Sequence, residues 1–199
     1  MDKRIYLCLA HMSGNEQKYI QEAFDTNWVV PLGPNVNAFE EELEQFVGQR
    51  KKVVALSAGT AAVHLALIAC GVKAGDEVLV QSFTFCASSH PVTYLGATPV
   101  FVDSEVETWN MDPELLERAI VDRMEKTGGK PKAIVPVYLY GMPGKIEEIM
   151  RVANKYDIPV IEDAAEGLGS RYDGQVCGTF GQYGVLSFNG NKKIGRAHV

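Results

Sequence analysis

The chain has 199 residues, 46% of them hydrophobic and 22% charged, with a net charge of -6, a composition that sets it among globular proteins and away from disordered ones. Its largest cationic cluster is Arg50-Lys51-Lys52, which reads as a solvated turn and argues against a nucleic-acid partner. No apolar run approaches the roughly 18 residues of a membrane span, the start lacks a signal peptide, and Cys8, Cys70, Cys86 and Cys177 have no metal-ligand spacing, so the chain reads as cytoplasmic, with reduced thiols and no metal.

Taken in order, residues 16–26 carry apolar groups at Tyr19, Ile20, Ala23 and Phe24, the spacing of a short amphipathic helix. Residues 28–34, Trp-Val-Val-Pro-Leu-Gly-Pro, hold two prolines and a glycine and read as an apolar loop that must pack against something. Residues 37–47 return to helical spacing through Phe39, Leu43, Phe46 and Val47, closed by Gly48. A strand is expected at 52–57, a turn at Ala58-Gly59-Thr60, and a small-residue helix at 61–70 ended by Gly71.

The next strand is expected at 78–81, a helix at 88–95, and another strand at 98–102 running into Asp103. Asp112-Pro113-Glu114 opens a helix that continues through Met124, followed by a charged, glycine-containing connection at 125–132. Strands at 133–137, 159–163 and 183–188 and a helix at 146–156 complete the pattern. Strand and helix alternate throughout, which predicts an α/β fold, a three-layer α/β/α sandwich with a mostly parallel sheet. No repeat or low-complexity linker interrupts residues 1–194, which read as an arm and one large domain. Residues 195–199, Gly-Arg-Ala-His-Val, read as a foreign tail on the front part of a longer protein.

Chemistry concentrates at strand ends. Val160-Ile161 runs into Glu162-Asp163, and Val185-Leu186 runs into Ser187 and then Lys192. A buried acid at Asp163 is costly unless paired, and a protonated ring nitrogen would pair it. Gly59 and Thr60 lie between an expected strand and helix, where backbone N–H groups and the helix dipole favour a phosphate. Ser187 adds a hydroxyl, and Phe85, just past a strand end, offers an aromatic face. A lysine, an acid and anion donors are together what pyridoxal phosphate requires. Spacing alone does not separate Lys192 from Lys193, and Glu166 reads either toward the same ligand or toward water.

With Ser57-Ala58-Gly59-Thr60, Gly96-Ala97-Thr98-Pro99-Val100-Phe101-Val102-Asp103, Ile161-Glu162-Asp163-Ala164-Ala165 and Ser187-Phe188 before Lys192, the chain resembles the DegT/DnrJ/EryC1/StrS sugar aminotransferases. The resemblance covers residues 5–192 and implies the aspartate-aminotransferase-like, fold-type I large domain. It implies pyridoxal 5'-phosphate held by Gly59, Thr60 and Ser187, stacked on Phe85, paired at its ring nitrogen with Asp163, reached by Glu166, and joined to Lys192, which also shuttles protons. The resemblance is strongest to the branch that aminates UDP-4-keto-6-deoxy-N-acetylglucosamine, on residues 27–34 and 187–192, which implies Trp28, Val29 and Pro31 at the nucleotide sugar, glutamate as amino donor, and a homodimer.

Two features depart from the family pattern: Tyr138 stands where many relatives carry a histidine, and the family's smaller C-terminal domain is not in these 199 residues. Three other readings stay open. A sugar dehydratase of the same family normally replaces the lysine by histidine; a noncatalytic fragment of the fold and a domain binding some other phosphorylated ligand at residues 57–60 are the alternatives.

Overall fold

A computed structural model describes residues 12–48 and 50–189. The described residues divide into two compact units: those up to Ala55 together with Phe188 and Asn189, and Leu56–Ser187.

The first unit contains α1 (Glu16–Asp25) and α2 (Pro34–Val47). No residue of α1 is buried; its apolar side chains Tyr19, Ile20 and Phe24 are all exposed. The second helix starts three residues earlier than its apolar spacing predicts. Pro34 occupies its first turn, where a missing N–H costs nothing and the fixed φ suits a helix. It buries Leu43 and Val47 and ends at Gly48, whose φ is 63°. The strand expected at 52–57 is absent. Two of its N–H groups turn instead to carboxylates of α2, with Val53 N donating to Glu44 Oε1 at 3.2 Å and Ala55 N to Glu40 Oε1 at 2.7 Å. An apolar run with β propensity becomes a strand only where a neighbouring ladder accepts it, and among the described residues side-chain acceptors take that place.

The second unit is a parallel sheet between two helical layers. Its strands are β1 (Glu77–Gln81), β2 (Thr98–Val102), β3 (Ala133–Val135), β4 (Ile161–Asp163) and β7 (Tyr183–Val185). The first three pair in parallel in the order β2-β1-β3, and β4 pairs in parallel with β7. Parallel bridges Ile134↔Val160 and Val137↔Asp163 join the two ladders, with Asp163 N donating to Pro136 O and Tyr138 N to Asp163 O. The sheet therefore reads β2-β1-β3-β4-β7.

Its strands are apolar on both faces, as parallel strands must be, and alternate residues feed two separate cores. Leu79, Ile134 and Val160 pack with Leu116 and Ile120 of α5 (Pro113–Thr127) and Ile146, Ile149 and Ala153 of α6 (Ile146–Tyr156). Val78, Val80, Ala133, Val135, Ile161 and Val185 pack on the other face with Val63, Ala66 and Leu67 of α3 (Gly59–Ala69) and Val92 of α4 (His90–Tyr94). These are the three layers expected from the alternation of elements.

Local departures have local causes. The helix expected at 88–95 splits into a 3-10 turn at Cys86–Ser88 and the five-residue α4, with Pro91 in its first turn. Residues 171–176 form an unexpected hairpin, β5 (Arg171–Tyr172) with β6 (Gln175–Val176). Asp173-Gly174 makes its turn with φ of 46° and 81°, and an Asp-Gly pair is a strong hairpin signal. Strand β7 needs Gly184, because a Cβ there would stand 1.9 Å from Gly178 O.

Candidate active site

Parity along β4 separates two adjacent acids. Ile161 belongs to the core under α3 and α4, and because side chains of a strand alternate, Asp163 shares that face and Glu162 takes the other. Both are buried, with 5% and 0% of their surface exposed.

Asp163 ends β4 at the carboxyl edge of the sheet, the edge at which parallel α/β folds present ligands. Its Oδ2 accepts the Ser88 hydroxyl at 2.5 Å and its Oδ1 accepts Ala165 N at 3.2 Å. Ser88 is fully buried, and its hydroxyl also lies 2.8 Å from Thr84 Oγ1. Phe85 stands in the same segment, just ahead of the turn, with its ring exposed. Reading the sequence missed Ser88 and Thr84 because small hydroxyl residues carry no periodic signal and Ser88 is 75 residues from its acid.

Beside Asp163 in the sheet lies its register partner Val185. A Cβ built on Gly59 would stand 3.9 Å from Val185 Cγ1 and 3.9 Å from Ser187 Oγ. The N-terminus of α3 thus abuts the end of β7. Ala58 provides no side-chain cap there, so the N–H groups of Gly59, Thr60 and Ala61 have no acceptor within the helix. Uncapped donors, the positive end of an 11-residue helix and the Ser187 hydroxyl make this corner suited to an anion.

Glu162 is satisfied on the opposite face. Its carboxylate accepts the Tyr138 hydroxyl at 2.5 Å, Gly178 N at 2.9 Å and Gly181 N at 2.5 Å. Burial pushes its pKa up, against the opposing effect of Gly181 N–H and the Tyr138 hydroxyl. The Tyr138 phenol is raised by burial and by the Glu162 charge, and the Cys177 thiol is pushed up to about 12 for the same two reasons. Tyr138 therefore serves a buried acid behind the site.

A second network fixes the loops above the sheet. Buried Gln81 donates to Phe83 O and Asn110 Oδ1 and accepts from Met111 N and Val137 N. Asn110 in turn accepts from Leu139 N and donates to Met142 O. Farther along, Glu166 Oε2 accepts Tyr140 N at 2.6 Å, holding Tyr140 at a φ of 55° with its side chain exposed.

Gly59, Thr60, Phe85, Asp163, Glu166 and Ser187 thus belong to one compact unit. Trp28, Val29 and Pro31 lie on the exposed loop between α1 and α2 of the other unit, and Lys192 lies outside the described residues. Among the described residues no group of three or more His, Cys, Asp or Glu is arranged to hold a metal ion, and no helix is long and apolar enough to cross a membrane.

The profile of the DegT/DnrJ/EryC1/StrS aminotransferase family matches residues 10–198. EpsN of Bacillus subtilis, provisionally named a pyridoxal phosphate-dependent aminotransferase, is 54% identical over 194 residues, 98% of this chain and 50% of that protein. A GDP-perosamine synthase of Caulobacter vibrioides is 42% identical over 191 residues, 96% of this chain and 49% of that protein. Among solved structures, the PLP form of Spr1654 from Streptococcus pneumoniae, provisionally named a sugar aminotransferase, superposes with a TM-score of 0.82 at 30% identity, covering 96% of this chain and 50% of that one. The chain spans about half the length of the curated relatives it matches.

Proposed function

The chain belongs to the DegT/DnrJ/EryC1/StrS aminotransferase family, and on that premise we propose that the protein containing it moves an amino group from glutamate to a nucleotide-linked 4-keto-6-deoxy sugar for polysaccharide or glycan biosynthesis, using pyridoxal 5'-phosphate. The observation that carries this reading is the buried Asp163 carboxylate standing across one register pair from the uncapped α3 N-terminus. An acid and an anion corner on the same face of the sheet suit a ligand that has a cationic ring nitrogen at one end and a phosphate at the other.

The residues present fit this cofactor. Gly59 and Thr60 N–H groups and the Ser187 hydroxyl would hold its phosphate, Asp163 would hold a proton on its ring nitrogen, and Phe85 would cover a ring face. Glu166 is assigned to the ring's other edge while its Oε2 also anchors Tyr140. When bound, pyridoxal phosphate supplies an aldehyde that takes up the amino group and a protonated ring that draws electrons from the reacting carbon. Lys192 is assigned on the family resemblance as the amine that holds that aldehyde, removes the α-proton of glutamate and returns a proton to the sugar carbon that receives nitrogen. Asp163 contributes most when negative charge develops at that carbon, because its own charge keeps the ring protonated.

Trp28, Val29 and Pro31 are assigned to the nucleotide sugar. A homodimer is part of the same reading, supported by the unburied apolar side chains of α1, as is a cytoplasmic location. Residues 1–194 are read as the arm and the cofactor-binding large domain.

The assay supplies the complete protein with pyridoxal phosphate, glutamate and UDP-4-keto-6-deoxy-N-acetylglucosamine. The expected result is 2-oxoglutarate released in step with a 4-amino sugar nucleotide, and none with Lys192→Ala. Turnover only with a GDP-linked or differently substituted keto sugar would keep the reaction class and reject this substrate. Absence of turnover with every keto sugar, with cofactor bound, would reject the aminotransferase reading.

A further inference from the structure

Asp163 is served by a chain of hydroxyls whose direction can be deduced. Its Oδ2 lies 2.5 Å from Ser88 Oγ, which lies 2.8 Å from Thr84 Oγ1. An ionised carboxylate only accepts, so the one hydroxyl hydrogen of Ser88 is committed to Asp163. Thr84 must then be the donor in the second bond. Both hydroxyls point their hydrogens toward the acid, and hydrogen bonds to the charged form of a carboxylate favour that form. The turn carrying Ser88 is itself pinned, since Ser88 N donates to Phe85 O at 3.1 Å.

We propose that Ser88, backed by Thr84, is a positioning residue that keeps Asp163 ionised and fixes the rotation of its carboxylate toward the cofactor's ring nitrogen. The inference rests on the cofactor reading above and adds two residues to it. It also gives the segment 84–88 a combined role, with Phe85 meeting the ring face while its neighbours on either side, through Asp163, meet the ring nitrogen. Among the described residues, other titratable groups on the elements packed around this end of β4 are Glu162 and Glu166 on its own segment, Tyr138 after β3, His64 on α3, Cys86 in the turn and Tyr183 on β7. Glu162 is turned to the opposite face and bonded to Tyr138, whereas Ser88 donates to Asp163 directly.

The test titrates pyridoxal phosphate into the complete protein, followed by absorbance across a range of pH, for the wild type and four variants. Ser88→Ala nearly conserves volume and is expected to weaken binding about tenfold and to move the acidic limb of binding to higher pH, because Asp163 then takes up its proton more readily. Thr84→Val should shift both quantities in the same direction by less. The double variant should be no worse than Ser88→Ala, because Thr84 acts only through Ser88. Wild-type affinity with an unmoved acidic limb in Ser88→Ala would overturn the proposal, as would full additivity in the double variant. Asp163→Asn tests the premise. Unchanged binding there would remove the cofactor reading itself, whereas loss there with no effect of Ser88→Ala would overturn only the hydroxyl chain.

Discussion

At the scale of single residues, the two acids of β4 show how burial is tolerated in two ways. Asp163 accepts the Ser88 hydroxyl of a distant turn and the nearby Ala165 N–H, while Glu162 has no exposed surface and a pKa raised by burial above its usual 4.5. A raised folded-state value means that Glu162 contributes stability in full below 4.5 and loses it as pH rises through that raised value. Glu162→Gln cannot titrate and leaves one backbone donor without its acceptor, at a cost of about 1–3 kcal/mol. The expected outcome is a difference from wild type that is largest near pH 4 and shrinks toward neutral, read from urea midpoints at several pH values. A difference that widens with pH would mean that Gly178, Gly181 and Tyr138 hold Glu162 charged. The sequence pattern legibly placed both acids at a strand end. It carried no sign of who would satisfy them, because Tyr138 is 24 residues from Glu162 and Ser88 is 75 from Asp163.

Elements follow local rules where their own side chains close them. Asp112 caps α5 by accepting from Glu114 N and Leu115 N, and Gly128 ends it at a φ of 73°. Asp112→Ala should therefore cost about 1 kcal/mol, and Gly128→Ala about as much for a left-handed residue given a Cβ; thermal unfolding would measure both. The start of α3 obeys a different demand. Gly59 has only ordinary van der Waals neighbours around an added Cβ, so Gly59→Ala should leave unfolding within about 0.5 kcal/mol of wild type. It should nonetheless weaken pyridoxal phosphate binding, because the methyl group enters the space between the helix start and Ser187. Equal cofactor affinity in that variant would dissociate this corner from the phosphate. The same scale explains the missing strand at 52–57, where Glu44 and Glu40 take the N–H groups of Val53 and Ala55, and the hairpin at Asp173-Gly174, which its dipeptide signalled all along.

For the whole molecule, the proposed dimer makes the most direct prediction. Ile20 and Phe24 are 48% and 64% exposed on a helix that buries nothing of its own, an arrangement costly to leave in water. Sedimentation of the complete protein at low micromolar concentration should give twice its chain mass, and Ile20→Glu with Phe24→Glu should shift it toward the monomer. A wild-type monomer at every concentration would refute the dimer. By itself the sequence determined the layered parallel architecture, the position of both acids at a strand end, and the family with its cofactor class. Those follow from short-range periodicity and from contiguous motifs. Only the tertiary structure decided which face each acid of β4 takes, which hydroxyls serve Asp163, and whether an apolar run becomes a strand. A buried polar group must find its partner wherever the folded chain brings one, and that pairing has no sequence spacing to read.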